Sequence, residues 1–193
     1  MPALVDSAAE ATADLLAREA EWLPGLTEGA IGPQGTHFVA PARRLSSAQQ
    51  AALMLRETPR LPAVGCETGD WSHVDVYLTK TTDYRLVLFA GSRWEPQLVS
   101  WVAERGSTLV SIGGQVPGSA QSVRYPGDDE DDVRLLTEVL VAELLNNLNS
   151  QSGAATAFNK TRVAITRASD GEQVPSVSSS LLTATQVKFA AVM

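Results

Sequence analysis

The chain is poor in the side chains that most often carry metal, redox or nucleophilic chemistry: its 193 residues include one cysteine, two histidines and few aromatics. A single cysteine, Cys66, excludes an intrachain disulfide, and with His37 and His73 as the sole histidines no zinc-type Cys/His set exists. No window approaches the ~20 consecutive apolar residues of a membrane-spanning helix. The opening MPALVDSAAEATADLL has neither the basic flank nor the apolar run of a secretory leader. Walker, GxGxxG and Gly-x-Ser-x-Gly sequences are also missing, so neither a nucleotide loop nor a nucleophile elbow is expected. Positive charge is scarce as well. Against 22 acidic residues stand 15 basic ones, a formal charge of -7 that repels nucleic acid and anionic membrane. The expectation is a cytoplasmic protein without metal or cofactor, and without a nucleic-acid or membrane partner.

With 44% apolar residues, the chain is long enough to bury one full-sized core. Residues 6 to 23 are expected to be helical, from the capping-box spacing of Ser7 and Glu10 to a stop at Pro24. The Gly- and Pro-punctuated stretch 25 to 35 reads as a loop. THFVA (Thr36 to Ala40) reads as a buried strand, and SSAQQAALMLRE as a helix ending at Glu57, with Ala48, Ala51, Ala52 and Leu55 on one face. A short strand in LPAVGC follows, then the loop GDWSH, then VDVYLTK as a short helix. RLVLFA and TLVSIG read as strands on either side of a helix over 96 to 105, which implies a right-handed parallel crossover. SVRYP suits a short edge strand. The last helix, Val133 to Leu148, carries an expected apolar face of Val133, Leu136, Leu140, Leu144 and Asn147. Strands alternating with helices predict a doubly wound, mostly parallel α/β sheet of three layers, with its ligand beyond the carboxyl ends of the strands. The domain is expected to cover 1–166, with 167–193 a Ser/Thr-rich tail, disordered or loosely docked.

Several residues could carry chemistry. PARRLSS places Arg43, Arg44, Ser46 and Ser47 between a strand and a helix N-terminus, where free N–H groups and the helix dipole suit a phosphate. The alternative is a serine N-cap beside solvated arginines. Glu57 ends a helix, where the dipole disfavours a carboxylate; it suits proton transfer, or a surface pair with Arg56 or Arg60. His73 reads as a structural or a proton-transfer group. Cys66 reads as a core thiol, and Trp94 and Trp101 as packing or interface residues. The acidic run Asp128 to Asp132 prefaces a helix, a place carboxylates favour without any metal.

The stretch LSSAQQAALMLRETPRLPAVGCETGDWSH resembles the sugar isomerase (SIS) domains, in particular the second of the two in the isomerase part of glucosamine-6-phosphate synthase. That family carries a helix of the type ALEGALKLKE, a strand, and a loop with GE before His-Gly-Pro. Here the helix is AQQAALMLRE, the strand PAVGC and the loop GDWSH, with the same spacing from glutamate to histidine. The resemblance runs over roughly residues 10 to 165 and implies a flavodoxin-like SIS fold. It implies that Glu57 moves a proton between C1 and C2 of a sugar phosphate, and that His73, supplied by the neighbouring chain of a dimer, assists ring opening. The family's tail lysine falls at Arg162, or at Lys160 if the alignment shifts, and Arg162 cannot form a Schiff base.

Other positions depart from the pattern. Met54 replaces the helix lysine, Val74-Asp75 replaces Gly-Pro, and the Ser-x-Ser-Gly-Glu-Thr cradle of the first SIS domain is missing. The resemblance therefore implies a phosphosugar- or aminosugar-phosphate-binding protein, with aldose–ketose isomerase or aminosugar-phosphate deaminase/aminotransferase ancestry. It would act as a homodimer or with a partner carrying a first SIS domain. The alternative is a non-catalytic sensing or dimerisation module.

Overall fold

The structure, a computed structural model, describes residues 2–149. The proposed end of the domain near residue 166, the tail, Lys160 and Arg162 lie outside the described residues. Five strands, β1 (Thr36–Ala40), β2 (Ala63–Glu67), β3 (Arg85–Phe89), β4 (Thr108–Ile112) and β5 (Gln121–Val123), form one all-parallel sheet in the order β2-β1-β3-β4-β5. The middle strands are short apolar runs because a parallel sheet flanked by helices is buried on both faces. All five residues of THFVA are buried.

Alternate strand residues feed two cores. Phe38, Ala40, Val87, Phe89, Val110 and Ile112 pack beneath α1 (Pro2–Ala17), α2 (Glu19–Ala30), α3 (Leu45–Glu57) and α6 (Asp131–Asn149). On the other face Val39, Leu86 and Leu88 meet Trp71, Leu98 and Val102, which come from α4 (Thr68–Trp71) and α5 (Glu95–Glu104). The result is the expected three-layer, doubly wound sheet. Helix α3 lies close against β2: a Cβ on Gly65 would stand 2.7 Å from the Ala48 carbonyl carbon, so only glycine admits this approach.

The strands, α3, α5 and α6 stand where the sequence pattern puts them, and VDVYLTK holds a 3-10 helix at Asp75–Lys80. The N-terminal stretch is helical as expected, but its bounds differ. The break falls at Arg18, not Pro24, and α2 continues through Pro24 and Gly25 to Ala30. Burial of Trp22, Leu23, Leu26 and Ala30 outweighs the lost proline hydrogen bond, and the Trp22 indole N–H donates to the Leu15 carbonyl at 3.0 Å across the break. The expected face of α6 is rotated too: Leu136 is 52% exposed, whereas Val133, Thr137, Glu138, Val141, Ala142, Leu144 and Leu145 point inward.

Candidate functional site

The connection after β1 runs through the 3-10 turn Ala42–Arg44 to α3 on one face, and that after β3 runs to α5 on the other. Two neighbouring strands whose exits diverge leave a crevice at their carboxyl ends, which is where such folds place ligands.

The structure sorts the four PARRLSS residues into two pairs. Arg43 and Ser46 are exposed; Arg44 and Ser47 are buried. Arg43 spans Asp131 and Asp132 at the start of α6, holding the Asp131 carboxyl below its ordinary range. Arg44 is fully buried and donates to the Glu138 carboxylate and to the Ala90 carbonyl at the end of β3. Its Nε lies 2.8 Å from an Asp131 oxygen, near enough to pair in charge but not aligned as a hydrogen bond. Burial pushes the Glu138 carboxyl up to about 6, a rise that Arg44 and the adjoining Ser47 hydroxyl only partly offset. Asp131 and Asp132 of the acidic run thus serve as counter-charges of these arginines, and Asp128 as that of Arg124; no metal-ligating group of three His, Cys, Asp or Glu occurs among the described residues.

Opposite Arg44, Gly91 adopts φ +108° and donates its N–H to Glu95 at 2.8 Å. A Cβ here would lie 2.5 Å from Arg134 Nη1 and 3.2 Å from Arg44 Nη2. Arg134 is fixed at one point, its Nε donating to the Asp128 carbonyl. Trp94 is 42% exposed, with the Arg93 guanidinium 4.6 Å from its ring. Its indole nitrogen stands 3.5 Å from where a Gly69 Cβ would be, so the loops after β2 and β3 adjoin.

The GDWSH loop is anchored by its tryptophan. Glu67 at the end of β2 accepts from the Gly69 and Asp70 N–H groups, and the Thr68 hydroxyl donates to Ala40 at the end of β1. Trp71 is fully buried, and its N–H donates to the Tyr84 hydroxyl; Tyr84 stacks on His37 with ring centroids 4.1 Å apart. Burial lowers the His37 imidazole below its ordinary pKa and, with Asp75 adding to it, raises that of the Cys66 thiol. Both suit packing rather than nucleophilic chemistry. His73 itself is exposed, its backbone N–H donating to the Asp70 carbonyl.

Glu57 is exposed at the last turn of α3. Because α3 returns from the carboxyl end of β1 to the amino end of the parallel β2, Glu57 and His73 stand at opposite ends of β2. Five strand residues span about 17 Å. One chain therefore does not bring the two together, and the crevice lies at the end of the sheet that carries His73, not Glu57.

Sequence reasoning missed Arg134, Glu138 and the crevice position of Trp94. A glutamate set within the apolar repeat of α6 was the available sign.

No family model matches the sequence, and no curated protein matches it either. Solved structures do match its fold. The C-terminal domain of glucosamine-fructose-6-phosphate aminotransferase from Francisella tularensis is 15% identical, with a TM-score of 0.58, over 75% of this chain and 42% of that one. An Escherichia coli CFT073 protein solved in complex with a sugar phosphate is 14% identical, with a TM-score of 0.56, over 81% of this chain and 93% of that one. A provisionally assigned phosphosugar isomerase from Clostridium difficile 630 is 17% identical, with a TM-score of 0.54, over 77% and 42%. The chain spans less than half the length of the first and third of these.

Proposed function

From the premise that this chain is a sugar isomerase (SIS) domain by fold, we propose that it binds a phosphosugar or aminosugar phosphate. The observation that carries the reading is a glutamate at the end of α3 and a histidine after β2, in the residue types and spacing of the resemblance, on a fold whose E. coli neighbour was solved with a sugar phosphate. Arg43 and Ser46 are the reachable phosphate ligands, Arg43 exchanging its two surface carboxylates for the phosphate. Arg44 and Ser47 hold the loop from beneath. Trp94 offers an aromatic face at the crevice mouth, and Arg162 closes the substrate set. In a catalytic version Glu57 moves the proton between C1 and C2, and the neighbouring chain supplies both the His73 that protonates the ring oxygen and the Arg43 and Ser46 that hold the phosphate, because α3 sets these two residues about 17 Å from Glu57 of their own chain.

A second reading, a phosphosugar sensor or dimerisation module, is favoured by the absence of the serine cradle and of a lysine at Arg162. The chain acts as a homodimer or with a partner carrying a first SIS domain. Differential scanning fluorimetry with fructose 6-phosphate and glucosamine 6-phosphate tests the binding: a rise in Tm is expected, and no shift with any hexose phosphate removes the reading. Glu57→Gln should abolish turnover while keeping the shift. A shift with unchanged sugar after hours of incubation selects the sensor.

A further inference from the structure

We infer that Arg134 forms a second anion subsite at the carboxyl ends of β3 and β4 and that it takes a carboxylate, so that the ligand is a phosphorylated sugar acid rather than a sugar phosphate with one acidic group. The phosphate half of this assignment rests on the phosphosugar reading; the carboxylate subsite does not.

Charge singles out Arg134. The chain carries 22 acidic residues against 15 basic ones, and Arg18, Arg43, Arg44, Arg85 and Arg124 each pair with a carboxylate. Arg134 is half-buried and pairs with none among the described residues; its Nε donates to a backbone carbonyl, that of Asp128. The carboxylates nearest in the fold are committed, Glu138 and Asp131 to Arg44 and Glu95 to the Gly91 N–H. With Nε used, the Nη1–Nη2 edge of the guanidinium remains. Its two parallel N–H donors match the two oxygens of a carboxylate.

Glycines hold that edge against the sheet. Nη1 lies 2.5 Å from where a Gly91 Cβ would be, and Nη2 lies 3.9 Å from the corresponding point on Gly114, so the fork bridges the loops after β3 and β4. A side chain at Gly91 would drive the guanidinium away. An independent observation at the same place points to a ligand. The Tyr125 hydroxyl, on a side chain only 4% exposed, has no hydrogen-bond partner among the described residues. It lies 2.9 Å from where a Gly113 Cβ would be, a point that the Arg134 stem approaches at 3.5 Å. A buried phenol without an acceptor is destabilising, and a carboxylate held by Arg134 supplies that acceptor.

The count of charges selects a monoanion. Arg44 brings a second guanidinium to Gly91, its Nη2 3.2 Å from the same Cβ point, but Glu138 neutralises it. One uncompensated positive charge suits a carboxylate better than a phosphate dianion. Arg43, the phosphate ligand of the phosphosugar reading, grips Asp131 and Asp132 within one helical turn of Arg134, so both cations stand at the same end of the sheet. A sugar acid whose carboxyl is C1 has no C1–C2 isomerisation open to it. This ligand class therefore belongs with the sensing reading.

Calorimetry on the full chain tests the subsite by comparing 6-phosphogluconate with glucitol 6-phosphate, the same open chain with a hydroxymethyl group in place of the carboxyl. The acid should bind roughly ten- to a hundredfold more tightly, as a charge-assisted bidentate pair implies. In Arg134→Met, checked for an unchanged circular dichroism spectrum, that ratio should fall to near one, and Arg134→Lys should keep part of it. Tyr125→Phe, which keeps the ring, should lower the ratio severalfold and serves as the test if Arg134→Met does not fold. Equal binding of the two phosphates overturns the subsite and leaves the phosphosugar reading standing. Binding of gluconate without any binding of glucitol 6-phosphate, lost in Arg134→Met, keeps the subsite and removes the phosphosugar reading. Binding of none of the three, or tighter binding of fructose 1,6-bisphosphate than of 6-phosphogluconate, overturns the inference.

Discussion

Trp71 hangs from Tyr84: its indole N–H donates to the phenol oxygen at 2.9 Å, and both side chains are buried to within 1%. This one bond joins the loop after β2 to the residue before β3. Trp71→Phe keeps most of the ring volume and removes the donor, leaving the Tyr84 hydroxyl buried with its partner lost. A loss of about 1–3 kcal/mol in urea unfolding is expected. Amide exchange should rise in residues 68–75 before it rises in β1 or β3. Uniform exchange across the sheet would show that the bond does not hold the loop.

Arg44 joins three parts of the domain: the loop after β1, the end of β3 and the middle of α6. Arg44→Ala leaves Glu138 buried without its counter-charge and the Ala90 carbonyl without this donor. Destabilisation of about 3–5 kcal/mol should follow, since breaking one side of a buried pair costs far more than replacing both. The double variant Arg44→Met, Glu138→Leu should recover a good part of it. An Arg44→Ala protein as stable as the parent would mean that the pair is solvated in solution.

Glu138 gives the pair a pH dependence of definite sign. Its folded-state pKa of about 6 lies above the reference value of 4.5 because burial disfavours the carboxylate. Between those values the folded chain holds a proton that the unfolded chain has released. Stability from this group is therefore full below about 4.5 and is lost as pH rises through about 6, by on the order of 2 kcal/mol. Glu138→Gln cannot titrate. Relative to that variant the parent should lose stability between pH 4.5 and 6.5 in denaturant titrations, and a constant gap would refute the assignment. Asp14 and Asp131, lowered by Arg18 and Arg43, act in the opposite direction at more acid pH and cancel in the comparison.

Gly65 should not tolerate a methyl group. An added Cβ meets backbone atoms of Ala48 and Gln49 rather than flexible side-chain ends, so relief requires α3 to move off β2. Gly65→Ala is expected to cost about 1–3 kcal/mol by overpacking.

Much of the layer order was legible in the chain. Buried parallel strands are short and apolar, and the runs FVA, RLVLF and TLVSI can be read as such because they are too short for a buried helix and rich in residues that favour strands. The buried face of α3 was equally plain, since Ala48, Ala51, Ala52 and Leu55 recur at helical spacing. The N-terminal break was not. Pro24 is the strongest local stop signal there, and only the burial of Trp22 and Leu26 against the sheet overrides it. The face of α6 was misread because Leu136 attracts notice while the inward positions include Thr137 and Glu138, polar groups whose burial depends on distant partners.

By itself, then, the sequence determined the strand–helix alternation and the exclusion of an intrachain disulfide, which are properties of local pattern and composition. It was the resemblance that singled out Glu57 and His73 as a pair. Tertiary structure alone decided that Arg43 is reachable and Arg44 is not, that Asp131 and Asp132 of the acidic run are committed to arginines about 90 residues away, and that Glu57 and His73 stand at opposite ends of one strand. The reason is that a crossover helix reverses direction between two parallel strands. Residues 16 apart in sequence are thereby sent to opposite ends of β2, and a site that looks continuous along the chain is divided in space.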